Sequence, residues 1–241
     1  MAEQEIGING FSLGKPIIQS GILFMVLLWA TIPCLGTEEL DLTRFSLEEL
    51  MDIEVTSVAK KSQSLSDSAA AIFVITKEDL RQSGVTNIPD ALRMVPGMNV
   101  ARLDSNKWAI NCRGFNGRFS PHLLVMIDGR SVYTPSFSGV YWEVQDVLLE
   151  DVEQIEVIRG PGAALWGANA VNGVINIITR SAKNTKGGVV SLGSGDIEKA
   201  MAQFRYGDDL GEDTAWRIYG KTHDKAAFDK LSGTRANDDW N

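Results

Sequence analysis

Residues 155–180, IEVIRGPGAALWGANAVNGVINIITR, limit what this 241-residue chain can fold into more than any other stretch. Two runs rich in Ile and Val, 155–158 and 174–178, read as buried strands. Between them stand Gly160, Pro161, Gly162, Gly167 and Gly173. Glycine permits positive φ and close backbone approach, and proline cannot donate into a central ladder, so the predicted order is strand, tight irregular crossing, strand. Gly162 and Gly167 have the spacing of P-loop glycines, yet Ala168 and Asn169 occupy the positions where Lys and Ser/Thr would hold phosphate and magnesium. With strand predicted on both sides, a nucleotide site is not supported. Arg159 directly follows an apolar strand, so its guanidinium needs carboxylates or backbone carbonyls beside it.

The series RGPGAALWGANAVNGVINIITR resembles the end of the plug domain of TonB-dependent outer-membrane receptors, where an Arg-Gly-Pro, an aromatic-Gly and a Gly-Val-Ile-Asn-Ile-Ile recur in this order. IPDALRMVPGMNV and LLVMIDGRSVY are similar to earlier segments of the same family. The resemblance implies an α+β plug domain, a small mixed sheet with short helices, followed by the first antiparallel strands of an incomplete transmembrane β-barrel. It implies energised uptake of a scarce nutrient such as an iron chelate across the cell outer membrane of a Gram-negative bacterium. The implied partners are TonB with its inner-membrane energising complex, outer-membrane lipid around the barrel, and a metal-chelate or other small-molecule ligand. No bond is made or broken in such a process, so no enzyme activity, catalytic residue or cofactor is expected.

Reading the chain in order gives four parts. Residues 1–36 read as a signal peptide, with the uncharged run GILFMVLLWA at 21–30, too short for the ~20 residues of a spanning helix. Its n-region is long and holds Lys15 as the one basic residue against Glu3 and Glu5, so an uncleaved anchor is the alternative. Residues 37–68 read as a periplasmic extension, with one or two helical turns at 45–51 capped by Ser46. Residues 52–58, DIEVTSV, favour an extended chain, and the Lys and Ser residues after them suggest a tether. An extended segment beside a tether suits capture by strand addition, and Ile53, Glu54, Val55, Thr56, Ser57 and Val58 are similar to the family's TonB box. The same segment also fits an ordinary first strand of the plug.

Residues 69–182 read as the plug. AIFVIT at 71–76 is a strand, Thr76 an N-cap with Ile75 placed for a hydrophobic staple, and Gly84 the stop of a short helix. Asn87 caps a second helix with Asp90 at N3, ended by Pro96 and Gly97. Strands are predicted at 98–103, at 108–115 ending on Arg113-Gly114, and at 123–127, returning through an Asp128-Gly129 hairpin turn into 130–133. A helical turn is predicted at 148–153. By the resemblance, Arg113 and Arg159 are the plug arginines that pair with barrel glutamates. Lys107, Trp108, Arg118, Phe137 and Tyr141, in or beside loops that mix aromatic and polar groups, are the candidate substrate contacts. An anionic chelate is favoured because Lys107 and Arg118 offer positive charge on an acidic protein.

Residues 183–241 read as the start of the barrel, with strands at 189–192, 200–206 and 214–222. Ala200, Ala202, Phe204 and Tyr206 alternate with Met201, Gln203 and Arg205, and Trp216 and Ile218 alternate with Arg217, Tyr219 and Lys221. Dyad alternation of this kind marks transmembrane barrel strands, and a half-buried soluble meander shares it. The family's barrel has about 22 strands, so the chain reads as truncated. The alternative from another class is a soluble periplasmic signalling or adaptor domain with residues 187–241 folded back as a soluble sheet.

Charge and chemistry narrow the rest. A net charge of −8 and a pI near 4.9 argue against nucleic acid. His122 and His223 lack metal-ligand spacing, and no metal is expected. Once a leader carrying Cys34 is removed, Cys112 is left without a disulfide partner and reads as a small core residue.

Overall fold

The computed structural model describes residues 54–55, 63–64, 70–211, 213–229 and 232–238. The expected signal peptide, the turns expected at 45–51, and residues 53 and 56–58 of the extended segment lie outside them. Two short strands, β1 (Glu54–Val55) and β2 (Gln63–Ser64), pair antiparallel, and the Val55 side chain is fully buried. β3 (Ile72–Thr76) leads into α1 (Lys77–Ser83) through the predicted Thr76 N-cap, which the structure completes into a capping box with Asp79. Thr76 Oγ1 accepts from Asp79 N at 3.2 Å, while the Asp79 carboxylate accepts from Thr76 N at 2.9 Å. Gly84 closes the helix with φ 66°, and Asn87 caps α2 (Ile88–Ala91) by accepting from Asp90 N. Ile75 and Leu80, the two staple positions, are both buried in the main core.

β4 (Met98–Arg102) and β5 (Trp108–Cys112) form an antiparallel hairpin of their own. β5 stops at Cys112, short of the predicted Arg113-Gly114 end. Arg113 and Phe115 take φ of 59° and 57°, which breaks the extended run. β6 (Leu123–Ile127) turns at Asp128 and Gly129, both with positive φ, into the two-residue β7 (Arg130–Ser131). That is the type I′ geometry that Asp-Gly favours. The predicted helical turn is a 3₁₀ turn, Leu149–Asp151, and β8 (Val152–Arg159) starts directly from it. β9 (Gly173–Thr179) runs antiparallel to β8, and the crossing between them contains one helical turn, α3 (Ala163–Trp166).

These strands make one mixed sheet in the order β3-β8-β9-β6-β7, with β6 and β9 parallel and the other neighbours antiparallel. Register sorts its side chains into two faces. The rows Phe73, Val157, Ile175, Val125 and Ile75, Ile155, Ile177, Ile127 cross the sheet toward α1, α2 and the β5 residues Trp108, Ile110 and Cys112, which close the main core. The opposite face carries Ile72, Ile158, Val174 and Leu124 with Trp166 and Ala170. The buried Glu156 and Asn176 sit in the next row of that face. Gln154 Nε2 donates to Glu156 Oε1 at 2.8 Å.

After a 3₁₀ turn (Ala182–Asn184), β10 (Gly187–Gly193), β11 (Glu198–Asp209) and β12 (Ala215–Lys225) form a separate three-stranded antiparallel sheet. All three strands are longer than predicted. Register Val190↔Phe204, Leu192↔Ala202, Tyr206↔Ile218 and Asp208↔Trp216 puts the apolar set on one face. That face is bare: Val190 is 73% exposed, Leu192 78% and Ile218 55%. Phe204 lies opposite Gly220, where an added Cβ would come within 2.6 Å of its ring.

Candidate functional site

The end of the mixed sheet where β8 stops and β9 begins gathers the two predicted arginines. Arg113 Nη2 donates to Arg159 O at 3.0 Å, and its guanidinium lies across Gly160, 3.3 Å from where a Cβ would stand. Arg159 Nη1 donates to Pro96 O at 2.9 Å, and its Nε is buried without a hydrogen-bond partner among the described residues. Among the described residues, the Arg159 guanidinium is therefore met by one backbone carbonyl, that of Pro96. The left-handed conformations of Arg113 and Phe115 are held by Asn111, whose Nδ2 donates to Phe115 O at 3.0 Å. Its Oδ1 accepts from Cys112 N at 2.9 Å and Asn172 Nδ2 at 3.3 Å. Cys112 Sγ donates to Asn172 O at 2.8 Å, and burial pushes its thiol pKa up, consistent with an inert core thiol.

Among the five candidate substrate contacts, three come together. Phe137 stacks on Phe119 with centroids 5.6 Å apart, and Tyr141 meets both rings edge-on at 5.3 and 5.0 Å. Arg118 sits over Phe119 at 5.1 Å and Tyr141 at 5.9 Å, with its Nη2 on Glu143 Oε1 at 2.7 Å. A tight loop presents Phe137: Thr134 N donates to Gly139 O at 2.7 Å, and a Cβ on Gly139 would strike the Phe119 Cα at 2.8 Å.

Lys107 belongs to a different loop, the β4–β5 tip, where its ammonium pairs with the Asp104 carboxylate. Burial pushes the Asp104 carboxyl upward, but its bonds to Lys107 and to the amides of Asn106 and Lys107 outweigh that and hold its pKa below the ordinary value. Trp108 is corrected: it is buried in the main core and flanked by the Arg93 and Arg102 guanidiniums at 5.6 and 5.5 Å. It shares a strand face with Ile110 and Cys112, and that parity turns it inward.

A second constellation, not among the predicted site residues, joins the two sheets. Asp151 at the foot of β8 faces Arg205 of β11 at 3.2 Å and Arg217 of β12 at 3.4 Å, with all three largely out of solvent. The Arg205 contact is one of charge without hydrogen-bond alignment, since both atoms lack a hydrogen-bond partner. The backbone closes round the cluster: Arg180 N donates to Asp151 O, Arg217 Nη1 to Arg180 O at 3.1 Å, and Arg205 Nη1 to Thr185 O. Farther along β12, Lys221 Nζ reaches Asp146 Oδ2 at 2.8 Å and Thr86 O at 3.0 Å. The alternation of Arg205, Arg217 and Lys221 was legible as a polar strand face. Their carboxylate partners lie more than fifty residues away, and nothing local announces them.

The geometry is a compact mixed sheet held by ion pairs to the polar face of strands whose other face is bare and apolar, and comparison with known proteins agrees with it. The sequence profile of the TonB-dependent Receptor Plug Domain matches residues 64–174. The vitamin B12 transporter BtuB of Vibrio vulnificus strain YJ016 is 32% identical over 193 residues, 78% of this chain and 29% of that protein. The iron-regulated outer membrane virulence protein of Vibrio cholerae serotype O1 is 33% identical over 182 residues, 70% of this chain and 27% of that protein. The chain thus spans between a quarter and a third of the length of these relatives.

Among solved structures, the ferripyoverdine receptor of the outer membrane of Pseudomonas aeruginosa, bound to ferripyoverdine, superposes with a TM-score of 0.58 at 20% identity. The match covers 72% of this chain and 23% of that one, and shows a shared fold. A variant of the ferric enterobactin receptor of Pseudomonas aeruginosa, in complex with enterobactin, gives 0.50 at 26% identity over 66% of this chain and 26% of that one. The chain belongs to the TonB-dependent receptor family and carries its plug domain.

Proposed function

We propose that this chain is the plug-bearing part of a receptor in the outer membrane of a Gram-negative bacterium, taking up a scarce nutrient such as an iron chelate. The observation that carries the reading is the two-faced sheet β10–β12. Its polar face holds the plug through Asp151 and Asp146, and its apolar face, with Val190, Leu192, Phe204, Tyr206, Trp216 and Ile218, is suited to outer-membrane lipid. A soluble periplasmic adaptor would have to cover that face. Arg118, Phe137 and Tyr141, together with Phe119, are the proposed ligand contacts, with Lys107 a more distant one. Glu143 already neutralises Arg118, so the rings carry more of the recognition than charge does. Arg113 and Arg159 are proposed to face carboxylates of further barrel strands, which would satisfy the buried Arg159 Nε.

Energy coupling is proposed to run through Ile53, Glu54, Val55, Thr56, Ser57 and Val58, captured by TonB as an added strand. Glu54 and Val55 already pair with Ser64 and Gln63, so capture would exchange β2 for the TonB strand. The full chain titrated with the periplasmic domain of TonB should bind weakly, because the segment must be reordered on capture. Val55→Pro removes a ladder donor and should weaken binding, both in the chain and in a peptide of residues 52–59. Undiminished binding of both Pro variants would remove the assignment.

A further inference from the structure

Among the described residues, an Asn-Gly pair occurs twice, at 116–117 and 172–173, and the fold treats the two in opposite ways. Asn172 is buried and held at backbone and side chain alike. Its N donates to His122 O at 2.8 Å, its O accepts from Gly160 N at 2.9 Å and from Cys112 Sγ at 2.8 Å, and its Nδ2 donates to Asn111 Oδ1 at 3.3 Å. Gly173 opens a central strand, in register with Arg159 on one side and Leu123 on the other.

Asn116 lies exposed in the loop between β5 and β6, just after the left-handed residues Arg113, Gly114 and Phe115. Its carboxamide makes one hydrogen bond among the described residues, from Nδ2 to Oδ1 of Asn99, itself exposed, at 3.0 Å. Gly117 N donates to no acceptor among the described residues, and a Cβ on Gly117 would meet nothing nearer than Phe119 O at 3.9 Å. An unbonded amide on a residue without a side chain can swing toward the carboxamide that precedes it, whereas one built into a central strand is fixed.

The structure assigns Asn116 as a site of spontaneous conversion to aspartate and isoaspartate, a reaction that consumes only water. Gly117 N gives up its proton to solvent and attacks Asn116 Cγ; the Cγ–Nδ2 bond breaks, ammonia leaves with a solvent proton, and a succinimide remains. Water then opens the ring at Cγ to give aspartate, or at the Asn116 carbonyl carbon to give isoaspartate, whose main chain runs through Cβ and Cγ. Either product places a carboxylate two residues from Arg118, which Glu143 already engages at 2.7 Å. Isoaspartate also lengthens the loop that carries Arg118 and Phe119. The effect on a ligand rests on the reading of those side chains above; the conversion does not, and a mass measurement tests it alone.

The test is to hold the full chain in detergent micelles at mildly alkaline pH, digest samples briefly with trypsin at intervals, and weigh the peptides 114–118 and 160–180, which carry the two pairs. In the folded chain, 114–118 should gain the mass difference between a carboxyl and a carboxamide and separate into an aspartate and an isoaspartate form, while 160–180 keeps its mass. In guanidinium chloride Asn172 should convert too, located by fragmentation, since the fold alone protects it. Gly117→Ala, for which there is room, should slow conversion at 116 several-fold. A 114–118 peptide that keeps its mass, conversion at 172 as fast as at 116 in the folded chain, an Asn172 inert even in guanidinium chloride, or a Gly117→Ala rate equal to the parent's would each overturn the assignment.

Discussion

Gly173 stands where β8, β9 and β5 meet most closely: a Cβ there would lie 2.5 Å from Ile158 O and 2.9 Å from Cys112 Sγ. Neither neighbour can move cheaply, one being backbone of a central strand and the other a buried side chain bonded to Asn172 O. Gly173→Ala is expected to cost about 1–3 kcal/mol through overpacking, read as a lower urea midpoint at unchanged slope. An unchanged midpoint would mean that β9 can shift where the packing says it cannot. Sequence alone marked Gly173 as a close-approach position, because a glycine at the head of an apolar run has few other uses. It misassigned Trp108, which stands next to a polar loop. Extending the dyad of Ile110 and Cys112 by one step places it in the core, and that parity outweighs its nearness to the loop.

Local elements were the most legible. The Thr76 N-cap, the Asn87 cap and the Asp128-Gly129 turn depend on residues within four positions of one another, and they form as read. The parallel pairing of β6 with β9 joins segments some fifty residues apart and leaves no local trace. The same holds for Asp151, which in sequence is one acid among many on a short turn. In the fold it compensates two cations, and removing its charge strands both. Asp151→Asn is therefore expected to cost about 3–5 kcal/mol, whereas Asp146→Asn, at a more exposed pair, should cost about 1 kcal/mol or less. Denaturant titration of the two variants in the same detergent checks the ordering. Equal costs would show that the buried cluster is no stronger than a surface pair.

At the scale of the whole molecule, a place in the outer membrane requires opposite environments on the two faces of β10–β12. Spin labels decide this directly, since oxygen concentrates in lipid and a chelated nickel ion stays in water. Cys34 is replaced by Ser, and the buried Cys112 is left in place. Labels are then introduced by Leu192→Cys and Ile218→Cys on the bare face and by Gln203→Cys on the face toward the plug. In lipid bilayers, a membrane-facing sheet should show high oxygen and low nickel accessibility at 192 and 218, with the reverse at 203. Nickel access at 192 and 218 equal to that at 203, or labels at 192 and 218 shielded from both reagents, would contradict a membrane-facing sheet and favour the soluble adaptor.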